Sequence, residues 1–214
     1  MARKTKEQAQ ETRRQIVDAA RTVFHQWGVN RSSLDMVAQV AGLSRGAVYW
    51  HFKNKAELFL AVREEVLFPM FEEIDSIISV GRRVDRLDGI EAALRRFFRI
   101  LGDSSDVRMV LDTIVNRCER VAEFANVQSN VDKPMTEFLA KLEAAYHEAA
   151  AMGTLRPGLE PKLIARDTLA FASGLMYRLL AADAADEFRN HVCEMISLHM
   201  ALRRKDHTQT GGSE

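Results

Sequence analysis

Residues 44–55 concentrate the side chains of this sequence that could bind a nucleic acid. Ser44 is a residue type that caps helices, so Arg45 would occupy the first helical position. An exposed arginine can form a bidentate hydrogen bond with guanine in the major groove of DNA. The tips of Tyr49 and Trp50 more naturally reach phosphate oxygens. The stretch therefore predicts a helix that contacts DNA.

The residues of this predicted helix have separate roles. Val48 and Phe52 are four positions apart and would anchor one side of the helix to a core. Gly46 and Ala47 are small and would let the helix lie deep in the groove, with the Ala47 methyl group against a thymine methyl. The residues predicted to contact DNA are Ser33, Ser44, Arg45, Gly46, Ala47, Tyr49, Trp50, His51 and Lys55.

Aromatic residues in a short helix are more often core residues than DNA contacts. In this helix Val48 and Phe52 already supply the core contacts. Burial of Tyr49, Trp50 and His51 as well would make the helix apolar on nearly all sides, and the small N-terminal head could not enclose it. We therefore interpret these three rings as surface residues.

Two further groups of residues carry weaker signals for catalysis or metal binding. Cys118, His147 and Asp112 could form a nucleophilic triad, but a structural cysteine on an apolar helix is several times more common. His191 and Cys193 are two positions apart and would lie on nearly opposite sides of a helix, which disfavours a metal site. Phosphate loops and dinucleotide fingerprints are missing, so we expect no enzyme activity, catalytic residue, metal or cofactor. A redox role for either cysteine stays open.

Composition and charge narrow the class of protein. Of 214 residues, 47% are hydrophobic and 28% are charged, which is usual for a folded soluble protein. Runs of about 18 apolar residues are absent, and the polar start lacks the apolar core of a signal peptide, so we expect a cytoplasmic protein without a membrane span. The net charge is zero, yet residues 1–57 carry 10 basic and 5 acidic side chains. The N-terminal part is therefore the end that a polyanion would bind.

Hydrophobic spacing predicts three helices in the N-terminal part. Residues 1–12 are polar and are expected to fray. Apolar residues then recur at helical spacing up to Trp27, and Gly28 is a typical stop. A hydroxyl of Ser32 or Ser33 would cap a second, short helix that ends at Gly42, and the third is the DNA-contacting stretch. A short helix, a glycine-containing turn and another short helix predict a helix-turn-helix.

The remaining residues predict a larger helical body. After Asn54 as a cap, apolar residues from Leu58 to Ile78 recur every four positions, which predicts one long helix with Pro69 inside it. Residues 79–89 combine glycines with mixed charges and predict a loop. Further helices follow, and Pro161 suits the first turn of one of them.

The N-terminal helices resemble a known family over roughly the first 60 residues. The residues that carry the resemblance are Thr12, Arg13, Ile16, Ala19, Ala20, Phe24, Gly28, Ser33, Leu34, Val37, Ala38, Ala41, Gly42, the run 44–52, Lys55, Leu58 and Phe59. On these residues the chain resembles the TetR family of bacterial transcriptional repressors. The block 49–52 resembles more narrowly the members that repress multidrug efflux pumps.

This resemblance implies an all-α homodimer of about nine helices that binds a palindromic operator until a small molecule releases it. Residues 1–54 would form the helix-turn-helix domain, residues 55–205 the ligand-binding and dimerisation domain, and residues 206–214 a disordered tail. The last two helices would form a four-helix interface with those of a second copy. The long helix that follows residue 54 would move on ligand binding and change the spacing of the two DNA-binding heads.

A ligand pocket is expected in the body. Most of the nine methionines and eleven phenylalanines lie beyond residue 57, and such adaptable side chains suit an apolar pocket, although any single one is more often a core residue. Such a pocket also needs a few polar groups to orient its ligand. The predicted pocket residues are Phe68, Phe98, Met109, Asn116, Phe171 and Tyr177.

Two alternatives remain on the residues alone. The chain could be a TetR-type regulator with a narrow pocket for one metabolite or lipid intermediate. It could instead be an architectural DNA-binding protein without a ligand, but bending DNA would not require about 150 additional helical residues.

Overall fold

The computed structural model describes residues 6–79, 85–118, 125–181 and 186–205. Every helix in these ranges is an α-helix, and the predicted all-α fold is confirmed. The helices are α1 (Lys6–Trp27), α2 (Leu34–Ala41), α3 (Arg45–His51), α4 (Lys55–Ser79), α5 (Arg86–Asp103), α6 (Ser105–Asn116), α7 (Ala125–Ala151), α8 (Pro161–Leu180) and α9 (Asp186–Ala201). None of the helices in the described ranges is both long enough and apolar enough to span a bilayer. The predicted tail, residues 206–214, lies outside these ranges.

The described chain divides into two compact units. The first contains α1 to α3, α4 up to Pro69, α6 and the start of α7. The second contains the remainder of α4 and α7 together with α5, α8 and α9. The domain boundary expected at residue 54 stays a prediction.

In the first unit, α1 to α3 pack around a small apolar core. Its fully buried side chains include Ile16, Phe24, Val37, Val48, Phe52, Leu58 and Phe59. The rings of Phe24 and Phe59 meet edge to face with their centroids 5.8 Å apart. Because α3 contributes apolar side chains on one side only, its opposite side is left to solvent.

Local polar contacts determine where these helices begin and end. Ser33, Ser44 and Asn54 each accept a hydrogen bond from the backbone N–H three positions further on, at 3.2, 3.2 and 2.8 Å. These side chains satisfy helix N–H groups that have no partner within the helix. Gly42 ends α2 with φ 65°, a conformation that glycine adopts without strain. The predicted caps and the predicted stop are therefore confirmed.

The end of α6 contacts the corner between α1 and α2. The backbone N–H of Val29 donates to the carbonyl of Arg117 at 3.2 Å. Gly28, which precedes it, has φ 76°. Arg21 of α1 also forms a 3.1 Å ion pair with Asp106 at the start of α6. The two ends of α6, about three turns apart, therefore contact α1 and the corner that follows it.

The core of the second unit contains a buried polar cluster between α7, α8 and α9. The Tyr146 hydroxyl lies 2.7 Å from the Thr168 hydroxyl, which also lies 3.2 Å from Nε2 of His199. The His199 ring stacks flat on Phe171 at 3.9 Å. Burial, reinforced by the neighbouring charge of Arg203, lowers the pKa of His199 to about 4, so the ring is neutral near pH 7. The cluster therefore contributes uncharged hydrogen bonds to this core.

Ion pairs join the residues after α9 to the start of α5. Arg204 reaches three carboxylates, with distances of 3.4 Å to Asp85, 2.7 Å to Asp88 and 3.1 Å to Glu91. Next to it, the backbone N–H of Arg156 donates to the carbonyl of Arg203 at 2.8 Å. The basic residues that end the last helix are therefore part of the folded unit.

Two expectations about helix boundaries are wrong. Fraying up to residue 12 does not occur in the described part, since α1 begins at Lys6 and Thr12 is already buried. The expected loop of residues 79–89 is too long, because α5 begins at Arg86. Asp85 accepts a hydrogen bond from a backbone N–H of the first turn, and this cap starts the helix within the expected loop.

The prolines of the long helices occupy different positions. Pro69 lies inside α4, and Pro161 is the first residue of α8, both as predicted. The sequence leaves Pro134 open between a first-turn position and a kink. It lies in the interior of α7, because that helix already begins at Ala125.

Candidate DNA interface and ligand site

The α3 helix is anchored on one side and open on the other. Val48 and Phe52 are buried, whereas Tyr49 is 50% exposed and Trp50 is 73% exposed. The Arg13 guanidinium lies over the Phe52 ring at 5.1 Å, which closes the anchored side. The predicted division of the helix into a core side and a surface side is therefore confirmed.

The exposed side of α3 is continuous from its first turn. Ser44, Arg45, Gly46, Tyr49 and Trp50 are all exposed. The Ser44 hydroxyl accepts the cap hydrogen bond and retains its own hydrogen for donation. One surface therefore carries the guanidinium of Arg45, the backbone of Gly46 without a side chain, and the rings of Tyr49 and Trp50.

At Gly46 the exposed surface of α3 carries no side chain. A Cβ atom built on Gly46 would meet one atom within 4 Å, the Ser44 Oγ at 4.0 Å. The residue is helical and its φ is not positive. Packing within the first unit therefore does not require glycine at this position.

Arg45 forms an ion pair with an acidic residue of the preceding helix. Its Nε lies 2.6 Å from Oδ1 of Asp35, and the Arg45 side chain is 70% exposed. Sequence reasoning missed Asp35, because the residue is ten positions away and on a different helix. The available signal is the helix-turn-helix itself, which brings the start of α2 close to the start of α3.

Among the other residues expected to contact DNA, Lys55 and His51 also have contacts within the first unit. The Lys55 ammonium donates to the carbonyl of Asn30 at 3.0 Å, so it joins the start of α4 to the loop after α1. His51 is half-buried, and its ring meets Trp50 edge to face at 4.5 Å. Ala47 is likewise half-buried, and Ser33 is exposed at the cap of α2. Their contacts with DNA stay predictions.

The six residues expected to line a ligand pocket are divided between the two units. Phe68, Met109 and Asn116 belong to the first unit, and Phe98, Phe171 and Tyr177 belong to the second. Phe98 is buried and contacts Phe97 edge to face at 5.1 Å. Phe68 and Tyr177 are more than half exposed. The Asn116 amide donates to Asp112 at 2.8 Å. The pocket composed of these residues stays a prediction.

The residues considered for catalysis have structural contacts. Asp112 is buried and accepts hydrogen bonds from Nε of Arg117 at 2.7 Å and from Asn116. Burial raises the pKa of the Cys118 thiol, although the nearby Lys55 charge acts in the opposite direction. A raised pKa reduces the thiolate fraction on which nucleophilic and redox chemistry depends. In the described ranges no three His, Cys, Asp or Glu side chains are grouped so that they could hold a metal ion.

Comparison with known proteins extends the match beyond the N-terminal helices. A family model described as bacterial regulatory proteins, tetR family, matches residues 16–62. The HTH-type transcriptional regulator AcrR of Shigella flexneri is 31% identical over 204 residues, which covers 94% of this chain and 94% of the relative. The HTH-type transcriptional regulator TtgR of Pseudomonas putida is 28% identical over 214 residues and is covered completely, with 95% of this chain.

Solved structures are similar over nearly the whole chain. NalD, the secondary repressor of the MexAB-OprM multidrug efflux pump in Pseudomonas aeruginosa, has a TM-score of 0.82 at 27% identity, covering 92% of this chain and 99% of NalD. A complex of SmeT with triclosan has a TM-score of 0.80 at 28% identity, covering 95% of this chain and 96% of SmeT. The similarity therefore includes the helices of the second unit.

Proposed function

The chain belongs to the tetR family of bacterial regulatory proteins, and we propose that it represses the genes of a multidrug efflux pump. In this proposal a cytoplasmic homodimer binds a palindromic operator, and hydrophobic small molecules release it. The observation that carries the DNA-binding role is the two-sided α3 helix, buried through Val48 and Phe52 and exposed through Arg45, Tyr49 and Trp50.

In this proposal some exposed side chains of α3 contact DNA bases and others contact the sugar–phosphate backbone. Arg45 contacts a guanine edge, because its fork matches two acceptors of that base in the major groove. Tyr49 and Trp50 contact phosphates and sugars, which position the helix without selecting a sequence. Lys55 adds a positive charge close to the DNA phosphates while it keeps its hydrogen bond to the carbonyl of Asn30.

Exposed apolar residues on α8 and α9 support the dimer. Leu163 and Tyr177 of α8, Leu198 of α9 and Leu202, which directly follows α9, are each about 60% exposed in the single chain. On α8, residues 163 and 177 lie four turns apart on one face with the uncovered Gly174 between them, so a second copy can approach closely. A two-fold dimer would place two α3 helices in successive major grooves, about 34–36 Å apart.

The small-molecule part of the proposal is supported by the relatives. NalD is a repressor of a multidrug efflux pump, and SmeT forms a complex with triclosan. Phe68, Phe98 and Met109 are the residues of this chain proposed to contact hydrophobic ligands, with Asn116 to orient them. Phe171 and Tyr177 complete the proposed set, although Tyr177 fits the dimer surface as well.

The efflux-repressor function is tested by ligand-induced release from DNA. An operator is first selected from a random DNA library with the wild-type protein, and Kd is measured with and without hydrophobic compounds of unlike structure, triclosan among them. A ligand that binds the folded state raises the free energy of unfolding, by about 2.7 kcal/mol when its concentration is 100 times its Kd, and therefore raises Tm. We expect several of the compounds both to raise Tm and to weaken operator binding.

A polar metabolite mixture and a hydrophobic compound that leaves Tm unchanged are the controls. If one compact metabolite alone raises Tm and releases DNA, the regulator responds to a specific metabolite and the multidrug proposal is wrong. If the selection yields no preferred sequence, the operator-binding role itself is wrong.

A further inference from the structure

The ion pair between α2 and α3 lies on the surface proposed to contact DNA. Asp35 is the second residue of α2, and its carboxylate lies 2.6 Å from Nε of Arg45 at the start of α3. Both side chains are substantially exposed, at 44% and 70%. The pair therefore remains accessible to DNA and is a property of the helix-turn-helix itself.

The closest approach of Asp35 to Arg45 is at Nε and not at the base-contacting end of the guanidinium. A guanidinium has five N–H donors in a rigid plane. The Asp35 carboxylate approaches this plane at Nε, as an ion pair without the alignment of a hydrogen bond. The two terminal nitrogens, Nη1 and Nη2, can still donate side by side to O6 and N7 of guanine. The carboxylate and the base can therefore bind the same guanidinium at once.

We propose that Asp35 is a specificity-determining residue, which holds Arg45 in a base-contacting orientation and opposes its use as a phosphate contact. This inference rests on the proposed DNA-binding function of Arg45. A long arginine side chain loses conformational freedom when it binds one base, and a fixed guanidinium plane has already lost part of that freedom. Asp35 thus favours the end-on contact with guanine over other arrangements.

The charge of Asp35 acts in the same direction. Binding to random DNA depends on attraction to phosphates, and a carboxylate next to Arg45 both neutralises that cation and repels the backbone. On the operator, the hydrogen bonds of Arg45 to guanine offset this repulsion. Asp35 should therefore weaken binding to random DNA more than binding to the operator.

The test is a double-mutant cycle of Asp35→Asn and Arg45→Ala. Kd is measured for the selected operator and for a scrambled duplex of the same length and composition, over a series of salt concentrations. Arg45→Ala alone should reduce the operator preference about 5- to 150-fold, which corresponds to one lost base contact. Asp35→Asn alone should reduce it about two- to five-fold, the range of an exposed ion pair, mainly through tighter binding to scrambled DNA.

The coupling between the two residues identifies the mechanism. In the Arg45→Ala background, Asp35→Asn should leave the operator preference unchanged, because the side chain that it orients is gone. An unchanged preference for Asp35→Asn in the wild-type background overturns the proposal, as does an equal loss in both backgrounds. If Arg45→Ala does not reduce operator preference, the base-contacting role of Arg45 fails, and the inference about Asp35 fails with it.

Asp18→Asn is the matched control. Asp18 also forms an exposed ion pair in the first unit, with Arg21 of its own helix at 2.9 Å, so its replacement makes the same change in charge. We expect Asp18→Asn to leave the operator preference unchanged. An equal reduction by Asp18→Asn would show that net charge is responsible and would overturn the proposal. A fall in Tm with unchanged preference assigns Asp35 to the stability of α2 and overturns it as well.

Discussion

Gly46 is a residue that the packing of the described chain does not require. A side chain at this position would be nearly free of contacts, with the Ser44 Oγ at 4.0 Å as the nearest atom. Glycine within a helix is about 0.5–1 kcal/mol less favourable than alanine, so the chain retains a residue that is unfavourable for its own stability. We propose that close approach of the α3 backbone to DNA is the reason for that choice.

Replacement of Gly46 by alanine should separate stability from binding. We expect the free energy of unfolding to rise by roughly 0.5 kcal/mol, since helical alanine loses less conformational freedom. Operator affinity should fall because the added methyl group holds the helix away from the groove. Chemical denaturation and Kd measurements check the two effects. Gly102→Ala in α5, where an added Cβ atom would meet nothing within 4 Å, should stabilise the protein without changing DNA affinity.

Wild-type operator affinity in Gly46→Ala would contradict the close approach. The residue types alone predict that Arg45 contacts bases, whereas its ion pair with Asp35 is visible only in the fold.

At the level of elements, the corner between α1 and α2 depends on α6. Gly28 has φ 76°, and a Cβ atom built there would lie 3.2 Å from the carbonyl oxygen of Arg117. The same carbonyl accepts the backbone N–H of Val29 at 3.2 Å. A glycine at this corner therefore allows both the turn of the chain and the hydrogen bond to α6.

Gly28→Ala should destabilise the protein more than Gly42→Ala. Both glycines have positive φ, which costs alanine about 1 kcal/mol. A Cβ atom on Gly42 would meet nothing within 4 Å, so this cost is the whole effect there. At Gly28 the contact with Arg117 adds to it, and we expect about 2 kcal/mol in total. Equal losses in denaturant unfolding would show that the α6 contact adjusts without strain.

On the scale of the whole molecule, exposed apolar side chains remain on α8 and α9. Leu198 of α9 is 63% exposed, and Leu202, which directly follows α9, is 61% exposed in the single chain. Burial of one leucine side chain contributes about 1.5–3 kcal/mol, and two-fold symmetry makes each contact occur twice. The dimer proposed for operator binding would therefore derive much of its stability from this surface.

Leu198→Glu should produce a folded monomer with weak operator binding. The substitution places a charge in each half of the proposed interface, while the single chain already exposes this side chain to water. Sedimentation velocity measures the oligomeric state, and circular dichroism checks the fold. Met152→Glu is the control, since Met152 is also exposed and apolar but lies outside α8 and α9. A Leu198→Glu dimer as stable as the wild type would exclude this interface.

Features that depend on near neighbours in the chain could be predicted from the sequence. Caps at Ser33, Ser44 and Asn54 and stops at Gly28 and Gly42 follow from contacts within four residues, so residue type and spacing are sufficient to predict them. The anchored side of α3 could also be predicted, because helical periodicity assigns its apolar residues to one side.

Contacts between residues that are distant in the chain are visible only in the folded protein. The pair of Asp35 with Arg45, the hydrogen bond of Lys55 to Asn30 and the grouping of α6 with the DNA-binding helices join positions that no local pattern connects. Residue types and spacing within a segment indicate whether it forms a helix. Which helices then pack against each other depends on the burial of apolar surface across the whole chain.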